Sequence, residues 1–123
     1  MPRTTELAWA AGFFDGEGST KLDRRHDRAY ISIQIGHVEP EPLRRFHAAV
    51  SAGSVTGPYA HNRRKNKRWS EYYSYQAYGK TACAVIEQLW PYLSGPKKRQ
   101  WLEKINDDAA RTGRMSSSAA ENN

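Results

Sequence analysis

The residues best suited to chemistry in this chain stand two apart, Asp15 and Glu17, in the run Asp15-Gly16-Glu17-Gly18. They concentrate acid on a chain that is otherwise basic, with 19 Lys and Arg against 13 Asp and Glu and a formal net charge of +6. That balance suits a polyanionic partner, because cations that neutralise phosphates release condensed counterions; it also serves plain solubility. Seven Tyr and four Trp accompany the basic residues and weigh toward nucleic acid. Carboxylates alone repel phosphate. Beside a phosphodiester, Asp15 and Glu17 make sense only with a divalent cation, and oxygen ligands together with phosphate favour Mg²⁺. Hydrolysis there needs a nucleophilic water, stabilisation of a more negative transition state, and help for the leaving oxygen.

Other chemistries are poorly supplied. A single Cys83 excludes an intrachain disulfide and, with four scattered His, argues against structural zinc. No apolar run reaches the ~20 residues that span a bilayer, and no signal peptide is visible, so an intracellular protein without a membrane partner is expected. At 123 residues the chain suits one domain, 1–111, with a disordered tail over 112–123 that is rich in Ser, Ala and Asn.

The elements that must position the two acids can be read in order. Thr4 or Thr5 can cap a first helix through Leu7 to Phe14, which breaks at Asp15-Gly16-Glu17-Gly18. Ala8, Ala11 and Gly12 sit at i, i+3 and i+4, a smooth helix face able to pack backbone to backbone. Ser19 to Arg25 is a strand candidate. Tyr30-Ile31-Ser32-Ile33-Gln34-Ile35 alternates strictly, so it is a strand with one buried face. Alternation gathers Ser19, Lys21, Asp23 and Arg25 with Arg28, Tyr30, Ser32 and Gln34 on the other face. Pro40 and Pro42 open a second helix with Leu43, Phe46 and Val50 on its apolar stripe, ended by Gly53. Ser54 to Ala60 and Trp69 to Tyr78 read as two further strands. Between them, five of the six residues from Arg63 to Arg68 are basic (Arg63, Arg64, Lys65, Lys67 and Arg68), a hairpin loop by composition. Both faces of the fourth strand carry aromatics; the reading favoured here turns Tyr73 and Tyr75 outward. A third helix runs through Val85, Ile86, Leu89 and Trp90. After the turn Ser94-Gly95-Pro96, a fourth begins at Lys97, with Trp101, Leu102 and Ile105 at core spacing. The result is α+β with antiparallel hairpins.

Ala10 to Gly18, reading AAGFFDGEG, resembles the nine-residue motif of the LAGLIDADG homing endonucleases. Ala11, Gly12, Asp15 and Gly18 match it letter for letter, and Glu17 falls at the motif's second acidic position. The element order matches the family's αββαββα plan up to about Ala110. The resemblance implies a four-stranded antiparallel sheet forming a DNA-binding saddle, and a homodimer packed through the motif helices at Ala8, Ala11 and Gly12. It implies a metal site at Glu17 and Gly16, with Asp15 bracing helix ends. Mg²⁺ is the expected ion; Mn²⁺ or Ca²⁺ can substitute, Ca²⁺ without cleavage. His37 falls near the family's water-positioning residue. Leu89-Trp90-Pro91-Tyr92-Leu93 followed by Lys97-Lys98 resembles the segment that supplies an active-site lysine, Lys97 or, one residue on, Lys98.

On this reading the chain is a site-specific double-strand DNA endonuclease. Lys21, Asp23, Arg25, Arg28, Tyr30, Ser32, Gln34, the basic loop, Tyr73 and Tyr75 would meet the duplex. A strand of about eight residues rises ~26 Å, the length of about eight base steps. Two alternatives stand beside it. One is a non-cleaving nucleic-acid binder of the same type, an intron-splicing maturase or transcription regulator. The other is a small basic RNA-binding α+β domain with tyrosines as stacking platforms, which leaves Asp15 and Glu17 unexplained. RNA stays open as a ligand without being expected.

Overall fold

A computed structural model describes residues 3–25, 28–60 and 71–112. The basic loop Arg63 to Arg68 and the tail from Gly113 lie outside the described residues, as do the side chains of Arg25 and Arg28. The order is α1 (Arg3–Glu17), β1 (Gly18–Arg25), β2 (Arg28–His37), α2 (Pro40–Val50), β3 (Ser54–Ala60), β4 (Glu71–Tyr78), α3 (Gly79–Leu89), a 3-10 turn (Trp90–Tyr92) and α4 (Gly95–Thr112). The four strands form one antiparallel sheet in the order β1-β2-β4-β3. All four helices pack on one face of it, and the core fills the space between.

Strand alternation does most of this sorting. Ile31, Ile33 and Ile35 enter the core, where they meet Leu7 and Phe14 of α1, Leu43, Phe46 and Val50 of α2, and Val85, Ile86 and Leu89 of α3. The β1–β2 register pairs Ser19 with Gln34, Lys21 with Ser32 and Asp23 with Tyr30, so the expected polar face forms as read.

Four expectations need correction. Helix α1 starts at Arg3 and runs through Glu17, so Thr4 and Thr5 lie inside it and the break falls at Gly18. Gly18 is buried, and a Cβ there would strike the Phe14 ring, so the turn out of α1 is closed by packing rather than by backbone freedom. Helix α2 ends before Gly53: Ser51 takes the left-handed conformation, φ 53°, and its N–H donates to the His47 carbonyl at 2.7 Å. Helix α4 starts at Gly95, and its Trp101 is buried while Leu102 is 47% exposed; Trp101 and Ile105, one turn apart, form its inner line.

The fourth correction concerns β4. Tyr75 is fully buried, with its ring 4.8 Å from that of Phe46 and its hydroxyl donating to the Ala52 carbonyl at 2.8 Å. Burial pushes this phenol well above its usual range, so it stays a donor. Tyr73 lies on the same side, packed against the core. The outward residues of β4 are therefore Tyr72, Ser74, Gln76 and Tyr78. Gly53, at φ 87°, leaves the space the Tyr75 hydroxyl occupies.

Candidate active site and nucleic-acid interface

Helix α1, the α4 start and the first residue of β1 meet at one end of the sheet. Glu17 is the last residue of α1; it is exposed, and its carboxylate has no hydrogen-bond or ion-pair partner among the described residues. Asp15, two residues earlier, is engaged. Its Oδ1 accepts from the Ser94 N–H at 3.2 Å and from the Ser94 hydroxyl at 3.0 Å, tying the end of α1 to the start of α4. The two acids thus differ by environment: one is occupied in structure, the other is open to solvent.

Lys97 is partly buried in the first turn of α4. Its Nζ donates to the Gly18 carbonyl at 2.6 Å, at the residue following Glu17, and lies 5.4 Å from the Phe14 ring centroid. Lys98 goes elsewhere, with its Nζ 5.3 Å over Trp90. A shift of one residue on a helix turns a side chain by about 100°, which separates the two lysines. His37 lies on the helix-bearing side of the sheet, in register with Tyr73 and with its ring 5.8 Å from Phe13. Its Nδ1 lies 3.0 Å from the Glu39 nitrogen and 3.2 Å from the Glu39 carbonyl oxygen, which fixes the ring at the end of β2.

The helix face expected to be smooth divides. Ala11 is fully buried in the chain's own core, whereas Ala8, Gly12 and Gly16 are exposed along one line, four residues apart. A Cβ at Gly12 or Gly16 would meet nothing within 4 Å. Exposed Gly16 stands beside Glu17.

The outer sheet face carries a row across all four strands, Ser19, Gln34, Gln76 and Ser54, set by the pairing of Ser19 with Gln34, Gln34 with Gln76 and Ser54 with Gln76. Lys21 and Asp23 are exposed, as are Tyr30, Tyr59 and Tyr78. Ser32 shares this face, in register with Lys21 and Tyr78, but is only 2% exposed. Gln76, whose Nε2 donates to the Ser74 hydroxyl at 3.0 Å, and Tyr59, Tyr72 and Tyr78 were missed by sequence reasoning. A usable signal was there: the even positions of β4 hold its polar Ser74 and Gln76.

For a hard divalent cation the donor chemistry is oxygen. Among the described residues no group of three or more His, Cys, Asp or Glu could hold a metal. One open carboxylate suits Mg²⁺, which keeps waters and is commonly bound through one or two carboxylates plus substrate phosphates rather than in an all-protein cage.

The α+β order with one four-stranded antiparallel sheet, β1-β2-β4-β3, is shared with known structures. The structure is similar to that of the homing endonuclease I-CvuI bound to the I-CreI target in the presence of Mg with DNA not cleaved (TM-score 0.59, 19% identity, 84% of this chain covered). It is similar also to I-CvuI bound to its own target with Ca (TM-score 0.60, 20% identity, 84% covered). The LAGLIDADG meganuclease I-CpaMI bound to uncleaved DNA aligns at TM-score 0.63 and 17% identity over 92% of this chain. The chain spans 66% of the I-CvuI chain and 39% of the I-CpaMI chain. No family model and no curated protein matches the sequence. The fold is that of the LAGLIDADG homing endonucleases.

Proposed function

We propose that this protein is a site-specific, metal-dependent DNA endonuclease that acts as a homodimer inside the cell. The observation that carries the reading is the open Glu17 carboxylate next to the carbonyl that holds the Lys97 ammonium, at the end of a sheet with a polar outer face. Likeness of fold to DNA-bound endonucleases supports it.

The exposed line Ala8, Gly12 and Gly16 lets two copies of α1 approach closely, which brings two Glu17 residues to a two-fold axis, one for each DNA strand. Glu17, with the Gly16 carbonyl beside it, would hold the divalent cation, which when bound lowers the pKa of water and stabilises charge on the phosphoryl oxygens. Lys97 offsets charge building on the scissile phosphate. Asp15 braces the two helices and leaves the chemistry to Glu17. His37 helps to position the water at the rim. Gln34 and Gln76 match the donor–acceptor pair that adenine offers in the major groove, Lys21 contacts phosphate or guanine, and Asp23 accepts from cytosine. The exposed tyrosines and the basic loop Arg63 to Arg68 complete the contact.

The test incubates the protein with a randomised DNA library and Mg²⁺ and sequences the cut ends. Paired cuts within a roughly palindromic site are expected. Glu17→Gln should keep binding with Ca²⁺ and lose cutting; equal cutting by that variant rejects the role of Glu17. Binding without any cut by the unaltered protein would favour the non-cleaving alternative. A protein that stays monomeric with its DNA present would remove the dimer.

A further inference from the structure

Helix α4 begins against its own dipole. Lys97 and Lys98 stand in its first turn with Arg99 just beyond, and no acid is in that turn, whereas the partial positive charge of a helix N-terminus favours anions. Ser94 and Asp15 supply what the turn lacks. The Ser94 hydroxyl accepts from the Lys97 N–H at 3.3 Å and the Ser94 carbonyl from the Lys98 N–H at 3.0 Å, so Ser94 caps the helix. The same hydroxyl and the Ser94 N–H both donate to Asp15 Oδ1. Lys97 then reaches back to the Gly18 carbonyl, three residues after Asp15. A closed ring results, from Asp15 through Ser94 and Lys97 to Gly18.

We infer that Ser94 is a positioning residue, which sets where the Lys97 ammonium stands relative to Glu17 by joining the end of α1 to the first turn of α4. This rests on the proposed role of Lys97. Ser94 touches no reacting atom; it acts through the lysine. A long, flexible side chain held at one end by a capped turn and at the other by a carbonyl is pre-ordered, and a misplacement of about 1 Å in such a group can cost ~10²-fold in rate.

The test uses three substitutions. Ser94→Ala removes the hydroxyl. Ser94→Thr keeps it. Ser94→Asp keeps a good capping oxygen but sets a second carboxylate against Asp15, so it separates capping from the tie to α1. Reductive methylation followed by peptide mass spectrometry reads the accessibility of Lys97 against exposed Lys80. Lys97 labelling should rise several-fold in Ser94→Ala and Ser94→Asp and hold at the wild-type level in Ser94→Thr. Cleavage should fall ~10- to 100-fold in the first two and be rescued in the third. In a Lys97→Ala background the Ser94→Ala loss should vanish. Unchanged Lys97 labelling in Ser94→Ala and Ser94→Asp overturns the inference, as does a Ser94→Ala loss that persists undiminished without Lys97. If labelling shifts as stated while the unaltered protein cuts no DNA, the positioning stands and the endonuclease reading falls.

Discussion

The hairpin of β1 and β2 separates its residues by type: isoleucines face the helices, and Lys21, Asp23, Tyr30 and Gln34 face away. The hairpin of β3 and β4 places tyrosine on both faces. Tyr75 is fully buried and Tyr78 is 55% exposed, three residues apart on one strand. What distinguishes them is the company of the hydroxyl. Tyr75 finds the Ala52 carbonyl inside and the Phe46 ring beside it, so its polar end costs little to bury. Tyr78 pairs with Ser32 on the outer face and keeps its ring in solvent. A tyrosine-rich strand is therefore oriented by what its neighbours can accept, and a strand of isoleucines by hydrophobicity alone.

The largest effect that can break this comparison is at the core tyrosine. Tyr75→Ala should destabilise the protein by ~3–5 kcal/mol, the range for deleting a buried aromatic ring, and denaturant unfolding reads it. A cost near zero would mean Tyr75 is not the anchor of this hairpin. Tyr75→Phe keeps the ring and leaves the Ala52 carbonyl without its donor, so ~1–3 kcal/mol is expected from the same measurement. On the outer face the readout changes from stability to recognition. Gln34→Ala and Gln76→Ala should each relax preference at particular bases by ~1–3 kcal/mol in a binding selection; a loss uniform over all sequences would mean that they touch only the backbone. Smallest in stability is Tyr78→Ala, expected within ~0.5 kcal/mol of the parent because the ring is solvated. If that substitution unfolds the chain, the two tyrosines have been assigned the wrong way round.

The junction of α1 and α4 offers the same contrast at the site. Asp15 and Glu17 have the same charge chemistry and are two residues apart, yet one is bound by Ser94 and the other is open. Their carboxylates stand out in the sequence because they flank Gly16 at the break of the first helix on a net basic chain, and the family resemblance gives Asp15 the bracing role. Lys97 and Lys98 could not be separated by spacing alone. The 79-residue gap between Gly18 and Lys97 carries no local pattern, and only the packing of α4 beside β1 brings one of the two to the site. The smooth face of α1 was legible in composition but misdivided, since helical spacing puts Ala11 near both the buried and the open sides.

By itself the sequence determined the number and order of elements, the buried face of β2 and the concentration of acid at the end of the first helix. Those follow from short-range regularities: period-two alternation, prolines at a helix start and residues incompatible with a core. Tertiary structure alone decided which tyrosines face out, which small residues of α1 stay open, which lysine reaches Gly18 and what Asp15 holds. Each of these depends on a partner distant in the chain, and the energy of a contact cannot be assigned until both of its ends have been placed.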